Sequence, residues 1–168
     1  MKLYFSGFSL DGESSLFDEY IIKDDLTVSG FSYGAIKAIE YALSTDTRVD
    51  RIQLFSPAFF NDKDTKYKRM QLMFFKKNAE EYSNNFLKNC GFSQDVAKQY
   101  FYVGKSEELE ELLYYVWDED KLQQLKHRGI EIEVYLGSDD KIIDSNKTLE
   151  FFKEFAEVYY IKNKGHIL

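Results

Sequence analysis

Leu26-Thr27-Val28-Ser29 and Ala35-Ile36-Lys37-Ala38-Ile39-Glu40-Tyr41-Ala42-Leu43 flank the five residues Gly30-Phe31-Ser32-Tyr33-Gly34. The first run is short and rich in strand formers; the second is dominated by strong helix formers. What lies between them matches G-x-S-x-G, a sharp strand-to-helix turn that holds a serine hydroxyl out of the sheet as a nucleophile. Glycines two residues either side of the serine let neighbouring backbone approach where a Cβ would clash. With Gly and Ser each near 7% of residues, a chance match in a chain of this length is about one in twenty. The weight therefore comes from the context, a strand before and a helix after, which is what the motif requires.

Working outward, Leu3 to Ser6 reads as a first strand ended by Gly7, and Asp11-Gly12-Glu13-Ser14-Ser15 offers turn residues and a helix start. Leu16, Phe17, Tyr20 and Ile21 form a stripe at helical spacing, predicting a helix to Ile22. Downstream, Arg51 to Ser56 alternates and stops at Pro57, the single proline, so it reads as a third strand. Residues 61–127 carry no strand signal and read as several helices. Glu131 to Leu136 alternates again, Asn146 to Ala156 is helical, and Val158 to Ile161 is a last strand. Strands separated by helices imply crossovers and a parallel sheet covered on both faces.

At 168 residues the chain fits one domain, 1–168, with 61–127 as a helical insertion. An apolar fraction of 44%, with thirteen Tyr and fifteen Phe, argues for a packed core. A net charge of −7 argues against nucleic acid as a partner, since phosphate binding needs clustered positive charge. Cys90 is alone, so no intrachain disulfide can form, and no run approaches the roughly 18 apolar residues of a membrane span. The N-terminal apolar run is also too short for a signal-peptide core, and a cytoplasmic protein is the expectation. No Cys/His cluster and no G-x-x-x-x-G-K loop is present, so no metal or other cofactor is implied.

A serine hydroxyl attacks only when a base takes its proton, so the turn at Ser32 predicts a downstream histidine. His127 lies in Lys126-His127-Arg128-Gly129, a cationic helix end where an imidazole satisfies the last carbonyls. His166 follows the last strand, beyond the C-terminal end of the sheet, where open α/β sheets carry their ligand-contacting groups. His166 is the expected base. The acid that orients it comes between serine and histidine in chain order, and Asp140 is favoured over Asp139 and Asp144 because it lies three residues past Gly137. The oxyanion donors would be the backbone N–H groups of Tyr33, after the nucleophile, and of Phe8, in the loop after the first strand. Cys90 has no histidine or cationic pair in its segment and reads as a small buried apolar residue.

With Ser32, Asp140 and His166 assembled, the chain resembles an α/β-hydrolase cut to its minimum: about five parallel strands with helices on both faces and a helical cap. It is more closely similar to the small pimeloyl-acyl-carrier-protein methyl ester esterases of biotin synthesis. The likeness rests on Tyr4-Phe5-Ser6-Gly7-Phe8, on Val28 to Ala42, on Leu54-Phe55-Ser56-Pro57, and on Lys68-Arg69-Met70-Gln71-Leu72. It continues through Ser106 to Glu110, Ile132-Glu133-Val134 and His166, so it covers most of the chain. Ser6-Gly7 stands where many larger members carry His-Gly. The resemblance implies a serine carboxylesterase that frees the pimeloyl carboxylate from its methyl ester through an acyl-enzyme, with acyl carrier protein as partner. Between Asn61 and Glu80 six cations, Lys63, Lys66, Lys68, Arg69, Lys76 and Lys77, stand against three acids in an otherwise acidic chain. Interleaved with Tyr67, Met70, Leu72, Met73, Phe74 and Phe75, they predict a cap with an apolar underside and a basic top able to steer an acidic carrier. The residues themselves leave open a thioesterase, a generic short-chain carboxylesterase, and a non-catalytic binding protein on the same scaffold.

Overall fold

The computed structural model describes residues 3–168. Its elements are β1 (Leu3–Phe5), a 3-10 helix (Glu13–Phe17), β2 (Thr27–Phe31), α1 (Tyr33–Ser44), β3 (Arg51–Phe55), α2 (Thr65–Lys77), α3 (Ala79–Cys90), α4 (Gln94–Tyr100), α5 (Ser106–Tyr114), α6 (Glu119–His127), β4 (Glu131–Gly137), α7 (Ser145–Phe152) and β5 (Glu157–Ile161). The five strands are all parallel and lie in chain order, β1-β2-β3-β4-β5.

Alternation along the strands sorts side chains onto two faces. Val28 pairs in register with Ile52 and Ile52 with Ile132; Leu54 pairs with Val134. This row packs against Ile36 and Ile39 of α1, Leu122 and Leu125 of α6 and Phe152 of α7 in one buried cluster. The opposite row is Phe31, Phe55 and Tyr135, also in register. Phe17 covers it, stacked on Phe55 at 4.7 Å between ring centroids, and Leu87 and Cys90 at the end of α3 join the same cluster. Gln53 and its register partner Ser29 are buried polar members of this face; Gln53 carries most of the bonding. Its Nε2 donates to the Tyr20 carbonyl and to Glu133, and its Oε1 accepts from the Ile22 N–H at 2.8 Å.

Two expected helices differ in extent. The stripe from Leu16 to Ile22 gives only the 3-10 turn Glu13–Phe17, entered through left-handed Gly12 (φ 76°) without a side-chain cap. Such a turn propagates poorly, and the bond from Ile22 to Gln53 draws the following residues onto the sheet. The helix expected over 146–156 stops at Phe152, where one carbonyl accepts from both Phe155 and Ala156 and closes a turn into β5.

The insertion between β3 and β4 divides into two parts. α6 packs against α1 and β4, as a crossover helix does, whereas α2 packs against α3 and α5. The α2–α5 group is fastened to the core rather than perched on it. Tyr33 at the start of α1 donates to Glu111 of α5 at 2.7 Å, Tyr115 donates to Glu40 of α1 at 2.6 Å, and Trp117 donates from its indole to the Ala58 carbonyl at 2.9 Å. Burial, reinforced by the carboxylate partner, holds the Tyr33 and Tyr115 phenols well above their usual range. Above about pH 10 the unfolded chain sheds phenolic protons that the folded chain keeps, so stability falls as pH rises. The midpoint of thermal unfolding is expected to drop between pH 9.5 and 11.5 (roughly bracketing the free phenol value), and less steeply in Tyr115→Phe.

Gly34 packs α1 directly on β1: a Cβ there would collide with the Phe5 carbonyl, a backbone atom that cannot yield alone. Gly34→Ala is expected to cost about 3 kcal/mol, the upper range for overpacking, in urea unfolding. An unchanged midpoint would contradict the contact.

Candidate active site

Ser32 sits between the last residue of β2 and the first of α1 with φ 54° and ψ −111°. A non-glycine residue pays about 1–3 kcal/mol for such a backbone and keeps it only when its surroundings over-determine it. They do so here. The Ser32 N–H donates to the Phe55 carbonyl at 2.9 Å, and its own carbonyl accepts from Ala35 and Ala58, both at 3.1 Å. A Cβ on Gly30 would meet the Gly34 carbonyl and one on Gly34 the Phe5 carbonyl, so both flanking glycines are sterically required.

The loop after β5 brings His166 to the serine. Asp139 donates its N–H to the Lys164 carbonyl at 2.8 Å, Ile167 donates to the Cys90 carbonyl at 3.1 Å, and the Ser56 hydroxyl donates to the His166 carbonyl at 2.6 Å. Gly137 at the end of β4 lets this loop close in, because a Cβ there would strike the Lys164 and Gly165 carbonyls. The imidazole is fully buried, with its ring 5.1 Å from that of Phe31. Its Nε2 is 2.8 Å from Ser32 Oγ and its Nδ1 is 2.6 Å from Asp140 Oδ2. Asp140 is anchored in turn: its other oxygen accepts from the Ile142 and Ile143 N–H groups at 2.7 and 3.0 Å. A carboxylate accepting at Nδ1 fixes the proton there and leaves Nε2 free to accept the serine hydroxyl.

The other candidates lie apart from this relay. Asp139 is exposed and accepts from the neighbouring Ser138 hydroxyl, while Asp144 caps α7 by accepting from the Lys147 N–H. His127 is exposed at the end of α6 beside Gln123. Cys90 is buried and unpaired, and burial pushes its thiol up, away from the reactive thiolate. Among the described residues no group of three or more His, Cys, Asp or Glu is placed to hold a metal.

Tyr33 is the first residue of α1, so its N–H has no carbonyl of its own helix to reach. Phe8 lies in the loop after β1 with its ring packed edge-on to Phe86 of α3. The sequence gives no sign of what shapes that loop, and the structure supplies Glu13. Its side chain is buried, with Oε1 accepting from the Gly7 N–H at 2.9 Å and the Tyr4 hydroxyl at 2.8 Å, while Oε2 has no hydrogen-bond partner among the described residues. Within Asp11-Gly12-Glu13-Ser14-Ser15 it looks like any turn acid; only its proximity to Phe17 in an apolar stripe hints at burial. Glu13→Ala is expected to speed exchange of the Gly7 amide about tenfold or more, as loss of a bond to a charged acceptor would, with Glu13→Gln in between. Exchange at the parent rate in Glu13→Ala would mean that the carboxylate does not hold the loop.

The cap corrects one expectation. Phe75 is buried, and Tyr67 and Leu72 are partly so, but Met70, Met73 and Phe74 are exposed on the outer side of α2 instead of forming its underside. Thirteen residues of α2 present more apolar side chains than one buried stripe can hold. The cations also divide. Lys63 pairs with Asp62 at 3.3 Å, and Lys68 lies over the Tyr114 ring at 5.3 Å, whereas Lys66, Arg69, Lys76 and Lys77 are exposed. A cavity of about 200 Å³ lies beneath the cap, between α2, α3 and α5 and the turn Lys141–Ile142.

No protein-family model and no curated protein matches the sequence. Solved structures do match the fold. A carboxylesterase of the ammonia-oxidizing thaumarchaeon Nitrososphaera gargenis is 19% identical over 83% of this chain, with TM-score 0.58. This chain spans only 57% of that enzyme's length. BioG from Haemophilus influenzae is 14% identical, matched over 99% of this chain and 88% of its own, with TM-score 0.62. MenH from S. aureus is 13% identical over 98% and 85%, with TM-score 0.60. The chain therefore has the α/β-hydrolase fold, reduced to five parallel strands in one sheet.

Proposed function

We propose that the protein is a serine carboxylesterase, a reading carried by the buried relay from Ser32 Oγ through His166 to Asp140, at 2.8 and 2.6 Å. Ser32 attacks the ester carbonyl as His166 Nε2 takes its proton. Asp140 holds the imidazole in the required tautomer and stabilises the imidazolium. The Phe8 and Tyr33 N–H groups hold the oxyanion. His166 then protonates the departing alcohol, leaving the acyl-enzyme. Water, deprotonated by the same nitrogen, attacks the acyl carbonyl; the imidazolium returns the proton to Ser32 as the acid departs.

The substrate in this reading is the methyl ester of pimeloyl-acyl carrier protein, so methanol leaves first. The resemblance of the sequence to that esterase family and the fold shared with BioG support it. The cap adds a physical reason. α2 exposes Lys66, Arg69, Lys76 and Lys77 around Met70, Met73 and Phe74 and contains no acid, on a chain whose net charge is −7. Such a face attracts an acidic partner while the rest of the acidic surface repels it, which sets encounter geometry.

Ser32→Ala is expected to lower kcat roughly 10⁵-fold or more and Asp140→Asn about 10⁴-fold, as triad removals do elsewhere. The assay is hydrolysis of a short methyl ester, and parental turnover by Ser32→Ala would end the proposal. For the substrate, Lys66→Glu/Arg69→Glu is expected to lower the ratio of kcat/KM on carrier-bound to free methyl ester about tenfold. A parent protein that cleaves simple esters but ignores the carrier-bound one would keep the chemistry and remove the biotin assignment.

A further inference from the structure

The cavity beneath the cap has an apolar wall and a polar rim. Leu109, Leu112 and Ile142 belong to the wall; Asn85 and Asn89, one turn apart on α3, and Lys141 belong to the rim. Two of its lining residues touch the candidate active site. Phe86 of the lining touches Phe8 of the oxyanion loop at 5.4 Å between ring centroids, and Ile142 donates its N–H to Asp140. Lys141 is thus the residue next to the carboxylate that orients His166.

Lys141 is exposed to solvent and is the one cation among the described residues that line this cavity. Among the described residues it forms no ion pair, whereas Lys63, Lys121, Lys147 and Lys153 each have a carboxylate partner. Its nearest acid in sequence, Asp140, is consumed by His166 and two backbone amides. Asn85 and Asn89 likewise have no side-chain hydrogen bond to the described chain, unlike Gln71 of the same lining, which accepts from Tyr82 at 2.7 Å. A plain hydrocarbon acyl chain would give these three groups nothing to bind, and approach of its apolar end would cost solvation of the lysine head.

We infer that Lys141, with Asn85 and Asn89, forms a rim that reads an anionic group on the far side of the acyl chain from the scissile ester. The inference rests on the esterase reading above and adds a specificity determinant to it. The ester carbonyl sits at Ser32, the methylene chain runs along the apolar wall, and the anion meets the Lys141 ammonium while the two amides donate to it. Both a free distal carboxylate and the phosphate of a carrier's prosthetic arm supply this chemistry.

The experiment uses two matched pairs of esters with the intact protein. Monomethyl pimelate is compared with methyl heptanoate, and the methyl pimeloyl thioester of phosphopantetheine with that of pantetheine. The parent is expected to favour the anionic member of at least one pair by about tenfold or more in kcat/KM, the scale of a charge-assisted hydrogen bond. Lys141→Ala is expected to bring that ratio close to one, and Lys141→Arg to restore most of it. The pair that shows the preference identifies the carboxylate or the phosphate as the anion. No preference in either pair, or a preference that survives Lys141→Ala, overturns the inference; Ser32-dependent cleavage of methyl heptanoate would then leave the esterase reading standing. A parent protein that cleaves none of the four overturns both.

Discussion

The left-handed backbone at Ser32 is the constraint on which the rest of the site depends. The strand β2 runs into α1 within one residue, and Ser32 takes up that sharp turn with φ 54°. The same twist lifts the hydroxyl above the sheet and starts α1 one residue later, so that the Tyr33 N–H emerges beside it. It also forces three stretches of backbone together. Gly30 under Gly34, and Gly34 against Phe5, are the residues without side chains that this crowding demands. The bonds from Ser32 to Phe55, Ala35 and Ala58 hold the strained geometry against relaxation.

A parallel sheet gives the elbow its partners because all five strands end on the same side. The loops after β2, β4 and β5 therefore converge, and close backbone contact locks them: Gly137 admits the Lys164–Gly165 carbonyls, and Ser56 binds the carbonyl of His166. Buried polar groups do the local positioning. Asp140 is held by two amides, and Glu13 gathers Gly7 and Tyr4 at the loop after β1. Each exchange of water for a protein partner is near neutral in sum, but leaving any one of them unpaired is costly. That asymmetry keeps the arrangement unique.

The α2–α5 group adds a second kind of constraint. Its inner side is tied to α1 by tyrosine-to-carboxylate bonds, which fix the cavity's apolar wall relative to Ser32. Its outer side is different in character. Four exposed cations surround three exposed apolar residues, on a protein whose overall charge has the opposite sign. The exposed Met73 and Phe74 are the ground on which an acidic partner is proposed for this helix, separately from the relay.

The strand-to-helix switch at 26–43 and the alternation at 51–56 and 131–136 made the parallel sheet readable from the chain, since side-chain period is a local property. G-x-S-x-G pointed to Ser32 for the same reason: its glycines answer to backbone crowding within five residues. Its place beyond the last strand then singled out His166 from His127, and the distance past Gly137 favoured Asp140. What the sequence did not contain was long-range geometry. That Asp140 rather than Asp139 meets His166 is settled by two amides of its own turn and by packing of the β4 and β5 loops. Glu13 is a turn acid until Gly7 and Tyr4 close over it. The exposed face of α2 is not legible in the sequence because Met and Phe carry no label for inside or outside; α3 and α5 cover only one stripe of the helix. Local periodicity determined the elements and their order, whereas tertiary contacts between residues far apart in the chain decided which polar groups were buried and which apolar ones were left in water.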